Sequence, residues 1–266
     1  MKYFLSLCCI IKNEDYLEEF LIFYMILGVE HFFLYDNEST IPLKKKLHQS
    51  IFKEKCTIID FPGKCKQLDA YEDCLKKTKL LSTWLIIVDA DEYIFPKKCF
   101  NLREFLRDYK DYQAIGINWI MFGSNNHIVK QQGFLTGKYT KCGNFNVHIK
   151  TITKPLYTIS MDGVHSVKTI NSNKFVDPGK NIISGSFNKN DNTHIIQINH
   201  YWGKSLEDYK IKINRGNADV LKKREFFKNY MNLYNNKEDL LFKKKYLKHI
   251  KLFFDKYNIP KKKINV

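Results

Sequence analysis

Residues 84–95 read WLIIVDADEYIF. Five apolar residues, Trp84 to Val88, run straight into Asp89, Asp91 and Glu92. Such a run, ending in turn-forming acids, predicts a strand buried on both faces of a parallel sheet. Two carboxylates one residue apart cannot share a face inside a regular strand, because successive side chains point to opposite faces. Past the end of the strand the chain can turn, and both can then reach one cation. Hard oxygen ligands suit Mg²⁺ or Mn²⁺, ions that also bridge a diphosphate. The alternative for an Asp-x-Asp at a strand end is a pair of turn residues.

Working outward from this stretch, strands and helices alternate. YFLSLCCII (3–11) is apolar throughout and predicts a first buried strand. A helix follows in NEDYLEEFLIFYMILGVE, with Asn13 as its cap, acids in its first turn, a stripe at Leu17, Phe20, Leu21 and Tyr24, and Gly28 as its stop. HFFLYD (31–36) is a second strand, CTIIDF (56–61) a third and TWLIIVD (83–89) a fourth, with helices in PLKKKLHQSIF and QLDAYEDCLKKTK between them. Strands alternating with helices imply βαβ units and a mostly parallel sheet flanked by helices, a Rossmann-like α/β class. Such sheets bind ligands at the carboxyl ends of their strands. Lys12, Asn13 and Glu14, then Asp36, then Asp89, Asp91 and Glu92 all fall at those ends. Later come a helix capped by Asn101, strands at 114–123 and 148–154, loops at 124–147 and 171–193, a strand at 193–202 that carries His200, and a helical stretch over 205–230 capped by Ser205. No internal repeat interrupts this.

The 266 residues are 44% hydrophobic and 15% aromatic, a globular composition with no apolar run of membrane-spanning length. The apolar start looks briefly like a signal peptide, but Lys12 to Asp15 stand where small cleavage-site residues belong, so a first core strand is the better reading. Seven cysteines, an odd number without a C-x-x-C pair, fit reduced thiols in a cytoplasmic protein rather than a disulfide framework or zinc site. The formal charge is +16, and residues 204–266 alone carry 18 Lys and Arg against 7 Asp and Glu, a balance of +11. LLFKKKYLKHIKLFFDKYNIPKKK mixes aromatic and basic residues as a helix on an anionic membrane surface does. A solvated lysine face is the plainer account. No helix-turn-helix, RNP or zinc-finger pattern points to nucleic acid.

Two acidic motifs are excluded. An EF-hand loop is broken at Tyr93 and Ile94. The haloacid dehalogenase-type phosphatases want an early strand and a Thr or Ser two places after the second Asp, where this chain has Tyr93 after three preceding strands. The ordered stretches IIKNEDYLEEFLIFYMILGVEHFFLYDNES, QLDAYEDCL, WLIIVDADEYIFP, WIMFGS, KTITKP, a lone His165 and NHYWGKSLEDYKIKINRG cover most of residues 5–216. In that order they resemble a GT-A glycosyltransferase, and most closely glycosyltransferase family 92 and its bacterial relatives. The resemblance implies a GT-A domain over 1–220; the stretch over 221–266 carries none of it and is expected, from its composition, to be a basic helical C-terminal extension.

It also implies a nucleotide-sugar donor and a divalent metal, Mn²⁺ or Mg²⁺. By analogy Asp91 binds the metal, Asp89 meets ribose or metal-bound water, and His200 adds a metal ligand. Asp36 matches an acid near the base or ribose. Lys12, Asn13 and Glu14 match the first nucleotide loop, and Gln67 the residue that opens the next helix. Lys204 and Arg215 are placed to pair with phosphate oxygens. Glu92 receives no firm role. Each has a bland counterpart: a cap for Asn13, a surface residue for His200, one of many basic side chains for Lys204 and Arg215, and core packing for Trp119 and Phe122, which could otherwise stack on a sugar. His165 is placed to face the acceptor. The family pattern suggests inversion, which needs a carboxylate base, Asp162 first and then Glu207 or Asp208.

The resulting expectation is metal-dependent transfer of a hexose, plausibly galactose from a UDP-sugar. The acceptor would be a lipopolysaccharide or capsule precursor, met in the cytoplasm at the inner face of the membrane, with the basic C-terminus on anionic lipid. A metal-dependent phosphohydrolase and a non-catalytic glycan- or polyanion-binding protein are the rival readings.

Overall fold

A computed structural model describes residues 1–216, 227 and 229–260. Its strands are β1 (Tyr3–Ile11), β2 (His31–Asp36), β3 (Cys56–Asp60), β4 (Ser82–Ile87), β5 (Glu92–Pro96), β6 (Ala114–Phe122), β7 (Lys141–Thr153), β8 (Thr158–Asp162), β9 (Ser166–Thr169), β10 (Phe175–Val176), β11 (Ile196–His200) and β12 (Lys237–Glu238). The helices are α1 (Leu17–Ile26), α2 (Leu43–Lys46), α3 (Ser50–Lys55), α4 (Gln67–Thr78), α5 (Leu102–Arg107), α6 (Leu135–Lys138), α7 (Leu206–Arg215) and α8 (Leu241–Lys256).

The main sheet runs β3-β2-β1-β4-β7-β6-β11-β5, with β10 added beside β6 and β12 beside β7. The first four strands are parallel, as is the β6–β11 pair, so the mostly parallel, Rossmann-like sheet expected from the alternation is the one observed. β7 and β5 run antiparallel to their neighbours. β8 and β9 form a separate hairpin over the α4 side.

The apolar residues of β1 are shared between the two faces. Leu5, Leu7, Cys9 and Ile11 pack under α1 on one side, and Cys8 packs under α4 on the other. Burial of each large side chain contributes roughly 2 kcal/mol. α1 is buried almost all round because α8 covers it, with Phe23 against Phe242 and Tyr246. Tyr24 then reaches the sheet edge: its hydroxyl donates to the Glu92 carbonyl and accepts the Ile94 N–H, which covers the outer side of β5.

Several expectations are corrected here. Asn13 does not cap α1. It stands at φ 54° four residues before the helix, and its side chain accepts the Thr40 N–H instead. Gly28 does end α1, at φ +95°. PLKKKLHQSIF forms two short helices rather than one. The supposed loops at 124–147 and 171–193 hold α6, the first half of β7 and β10. The helix expected over 205–230 is described as far as Arg215, and its stretch at 217–226 lies outside the described residues.

The basic C-terminal segment is not separate from the body. Phe242, Tyr246, Leu247, Ile250 and Phe254 of α8 are buried, and α8 packs on α1 and α6. The amphipathic stripe is spent on the protein itself, which leaves a face of lysines, including Lys244, Lys248 and Lys251, towards solvent.

Glu19 joins these layers. Its Oε2 accepts the Leu135 N–H at 2.6 Å, and its Oε1 accepts the Thr136 N–H at 3.0 Å and the Thr136 hydroxyl at 2.6 Å. Glu19→Ala orphans both amides in a buried place, at about 1–3 kcal/mol for each lost partner. Denaturant unfolding of that variant is expected to show a loss of about 3 kcal/mol.

Candidate active site

The turn after β4 is closed by reciprocal bonds. The Glu92 N–H donates to the Asp89 carbonyl at 3.0 Å, and Glu92 Oε2 accepts the Asp89 N–H at 2.9 Å. Glu92 is fully buried, and burial pushes its carboxyl well up. This closure throws the two aspartates in different directions.

Asp89 points to α4 and β7. Its Oδ1 accepts from Gln67 Nε2 and Tyr71 Oη, each at 2.6 Å, and lies 3.2 Å from Lys150 Nζ. Lys150 is 1% exposed and also donates to the Val164 carbonyl in the β8–β9 turn. Burial pushes Asp89 up, but Lys150, Tyr71 and His200 together outweigh it and the carboxyl is held low.

Asp91 points to β11 and α7. Its Oδ2 is 2.5 Å from Lys212 Nζ, and its Oδ1 is 3.5 Å from His200 Nε2. Burial works against its charge, yet Lys212 and His200 hold the carboxyl well below the usual range. His200 is buried, and burial pushes its imidazole down. Its Nδ1 and Glu92 Oε1, 4.0 Å apart, are both buried without a hydrogen-bond partner.

The chain after β11 turns through Gly203 and Lys204 into α7, whose first turn is fastened by a capping box between Ser205 and Asp208. Lys204 sits at φ 58° and drives its ammonium 2.6 Å from Glu14 Oε1. Lys130 pairs with Asp15 at 2.9 Å and with Asp208 at 3.7 Å. Arg215 Nη1 donates to the Lys12 carbonyl at 2.7 Å. Together Asn13, Glu14, Asp91, Lys130, Lys204, Lys212 and Arg215 line one open cleft at the carboxyl ends of β1, β4 and β11.

Of the residues expected from sequence, Asn13, Glu14, Asp91, Lys204, Asp208 and Arg215 therefore share the cleft, with His200 behind Asp91. Gln67 reaches Asp89, not the cleft wall. Lys12 faces Glu38 at 3.5 Å. Asp36 lies apart, with its carboxylate accepting the Ser39 and Leu43 amides and so shaping the β2–α2 turn. Glu207 and Asp208 are engaged at the start of α7: Glu207 accepts the Lys130 N–H and Asp208 completes the cap. Asp162 ends β8, where its carbonyl accepts the Ser166 hydroxyl.

Sequence reasoning missed Lys212, Lys130, Lys150 and Tyr71. Lys150 opens the KTITKP segment, a lone charge beginning a β-patterned run. Tyr71 is four residues after Gln67, one helical turn on, so both aim at Asp89. Lys130 and Lys212 carry no such signal among the many lysines.

Residues 4–251 match the family model for glycosyltransferase family 92. The chain belongs to glycosyltransferase family 92. The match runs into α8, well past the stretches quoted from the sequence. The chain is similar to a glycosyltransferase family 92 protein of Ricinus communis, 24% identical over 221 residues, or 79% of this chain and 37% of that protein. A family 92 protein of Oryza sativa subsp. japonica is 22% identical over 218 residues, 79% of this chain and 35% of its own. The chain thus spans little more than a third of the length of these relatives. Among solved structures it is similar to a putative glucose-1-phosphate thymidylyltransferase from Bacillus anthracis in complex with a sucrose, at 7% identity and a TM-score of 0.43 over 86% of this chain and 99% of that one.

No group of three or more His, Cys, Asp or Glu among the described residues converges on one point as a ready cation site. The donor set still fits a divalent ion in part. Asp91 Oδ1 and His200 Nε2 face each other across 3.5 Å, an oxygen and an imidazole nitrogen of the kinds that bind Mn²⁺. Asp89 Oδ1 is turned away to Gln67, Tyr71 and Lys150.

Gly203 sets how closely α7 approaches. A Cβ there would overlap the Tyr230 ring and hydroxyl. That hydroxyl donates to the Lys204 carbonyl at 2.7 Å, and the ring stacks on Tyr209 of α7 at 3.8 Å. Gly203→Ala must expel Tyr230, an overpacking cost of about 1–3 kcal/mol. A melting scan is expected to show a drop of several degrees.

Proposed function

We propose that this family 92 chain transfers a hexose, with galactose from a UDP-sugar the first choice, to a glycan acceptor such as a lipopolysaccharide or capsule precursor, with inversion. The observation that carries this reading is the cleft in which Lys130, Lys204, Lys212 and Arg215 stand among Glu14, Asp15, Asp91 and Asp208 at the strand ends. Lys130, Lys204 and Lys212, whose present partners include carboxylates, can exchange these for diphosphate oxygens, which a neutral ligand does not offer.

In this reading Lys204, Lys212 and Arg215 take the diphosphate oxygens, displacing some of the present carboxylate partners. Lys12, Asn13 and Glu14 flank the nucleoside, with Asp36 shaping the adjoining turn. Gln67 and Tyr71 orient Asp89 beside the ribose. Asp91 and His200 would hold the divalent ion, with Asp89 next to it. The ion would supply positive charge at the departing diphosphate. Asp162 is the base that takes the acceptor hydroxyl's proton. The solvent-facing lysines of α8 would draw the enzyme to anionic lipid, so vesicle binding should be stronger to anionic than to neutral lipid and fade with salt.

The test is a thermal-shift screen with UDP-, GDP-, CMP- and dTDP-sugars, each with Mn²⁺, Mg²⁺ or EDTA. Ligand at a hundred times its Kd stabilises the folded state by about 2.7 kcal/mol. For a chain of this size that is a rise of roughly 5–10 °C. A metal-dependent rise with UDP-sugars supports the reading. No rise with any nucleotide sugar sinks it.

A further inference from the structure

Beside the cleft, on the far side of His200, lies a second surface built of rings. Trp119 of β6 touches His200 with ring centroids 4.4 Å apart. Its other neighbours are His148, nearly parallel at 5.1 Å and 13°, and His165, edge-on at 5.2 Å. Phe187 continues the surface, 4.8 Å from His148. We infer that Trp119, His148, His165 and Phe187 form the seat of the acceptor's terminal pyranose, which stacks its C–H face on these rings and presents a hydroxyl towards Asp162 and the donor. This rests on the transferase reading above.

Three observations carry it. First, Phe187 is 57% exposed although its backbone is fixed. The segment around it pairs with β7: His148 and Phe187 form an isolated bridge, the Asn188 N–H donates to the Val147 carbonyl, and the Ile149 N–H to the Ser186 carbonyl. A rigidly held, exposed aromatic ring offers a ligand contact area, and rigidity lowers the entropy lost on binding. Second, Trp119 Nε1 is a buried donor with no hydrogen-bond partner. A buried polar group in that state costs about 1–3 kcal/mol, and a hydroxyl-rich ligand at the platform edge relieves it with little movement.

Third, the platform joins the site through named atoms. His200 touches both Trp119 and Asp91. His165 sits in the β8–β9 turn three residues after Asp162, and the carbonyl of Val164 in that turn takes Lys150, which also holds Asp89. Asp91 turns its Oδ2 to Lys212 of the cleft and its Oδ1 to His200, against which Trp119 packs, so a sugar on the rings can approach while the nucleotide occupies the cleft. Rings with hydrogen-bonding edges fit a sugar, whose C–H face is apolar and whose rim is hydroxyl.

The experiment uses the full chain with UDP and Mn²⁺, and saturation-transfer NMR with methyl β-galactopyranoside, methyl α-glucopyranoside and methyl α-mannopyranoside as probes. Wild type is expected to saturate the ring C–H protons of at least one glycoside. Phe187→Ala, which changes an exposed ring, should weaken that binding about 3- to 10-fold. Phe187→Tyr should retain it, and the UDP-sugar thermal shift should be the same in all three proteins. Equal glycoside binding by wild type and Phe187→Ala overturns the inference, as does saturation of none of the probes in wild type. Loss of the nucleotide-sugar shift in Phe187→Ala also overturns it, because the platform would then serve the donor. A wild type that binds a glycoside but no nucleotide sugar sinks the transferase reading and leaves the ring surface standing as a sugar site.

Discussion

Asp91→Asn is expected to cut sugar transfer by at least about 100-fold while the protein stays folded, the scale on which removing one electrostatic partner of a developing charge acts. The side chain changes by one atom, and the backbone bond from the Tyr201 N–H to the residue 91 carbonyl at 2.8 Å is untouched. What goes is the negative charge between Lys212 and His200. Lys212 keeps the Trp202 carbonyl at 2.7 Å and is 14% exposed, so its lost ion pair costs less than a fully buried one. About 1–2 kcal/mol of stability should suffice to cover it. The cleft becomes more positive, so a nucleotide sugar should still raise the melting temperature in EDTA. The extra rise produced by Mn²⁺ should disappear. Side-by-side thermal shifts and turnover check this. Wild-type turnover with wild-type metal dependence in the variant would remove Asp91 from the centre of the mechanism.

The parallel half of the fold was legible because each of its strands is a short apolar run followed by a polar end and then a helical stripe. That pattern is local, and it also located the ligand edge of the sheet. β5 was not legible. EYIFP follows the acids with no turn signal of its own, and its partner β11 lies about a hundred residues downstream, so only tertiary pairing makes it a strand. The first half of β7 was hidden by Gly143, Asn144 and Asn146, residues that read as loop yet lie in a strand paired to β6.

The same division runs through the site. Asp91 and Glu14 stood at strand ends, where the topology alone brings them together, whereas Lys204 was picked out through the resemblance. Asp36 stood at such an end too, but whether an acid there meets a ligand or closes its own turn depends on where two amides point. The stripe of α8 was visible as a period of apolar residues. Periodicity tells that a helix buries one face, not which surface receives it, and here the receiver is α1 and α6.

Lys150 is the residue whose loss should do most to the structure. Lys150→Met keeps the length of the side chain and removes the ammonium from between Asp89 Oδ1 and the Val164 carbonyl. Breaking a buried pair by removing one partner costs about 3–5 kcal/mol. Asp89 retains Gln67 and Tyr71, and its side chain is 31% exposed, so the lower end of that range is expected. For a chain of this size that is roughly a 6–12 °C fall in melting temperature. The pH dependence has a definite sign. Burial pushes Asp89 up, and Lys150, with Tyr71 and His200, more than reverses it, so the folded carboxyl titrates below its unfolded counterpart. Its contribution to stability is present above the unfolded value and is lost as pH falls through the folded one. Without Lys150 the remaining push is upward, and acid destabilisation should begin at a higher pH than in wild type. Melting curves taken from pH 7 down to about pH 3 read this directly. Parallel curves for the two proteins would mean that Gln67 and Tyr71, not Lys150, keep Asp89 ionised. Transfer should fall as well, because the lysine is the link between the acidic turn and the hairpin that carries Asp162 and His165. A variant destabilised as expected yet fully active would show that the two halves of the site do not need that link.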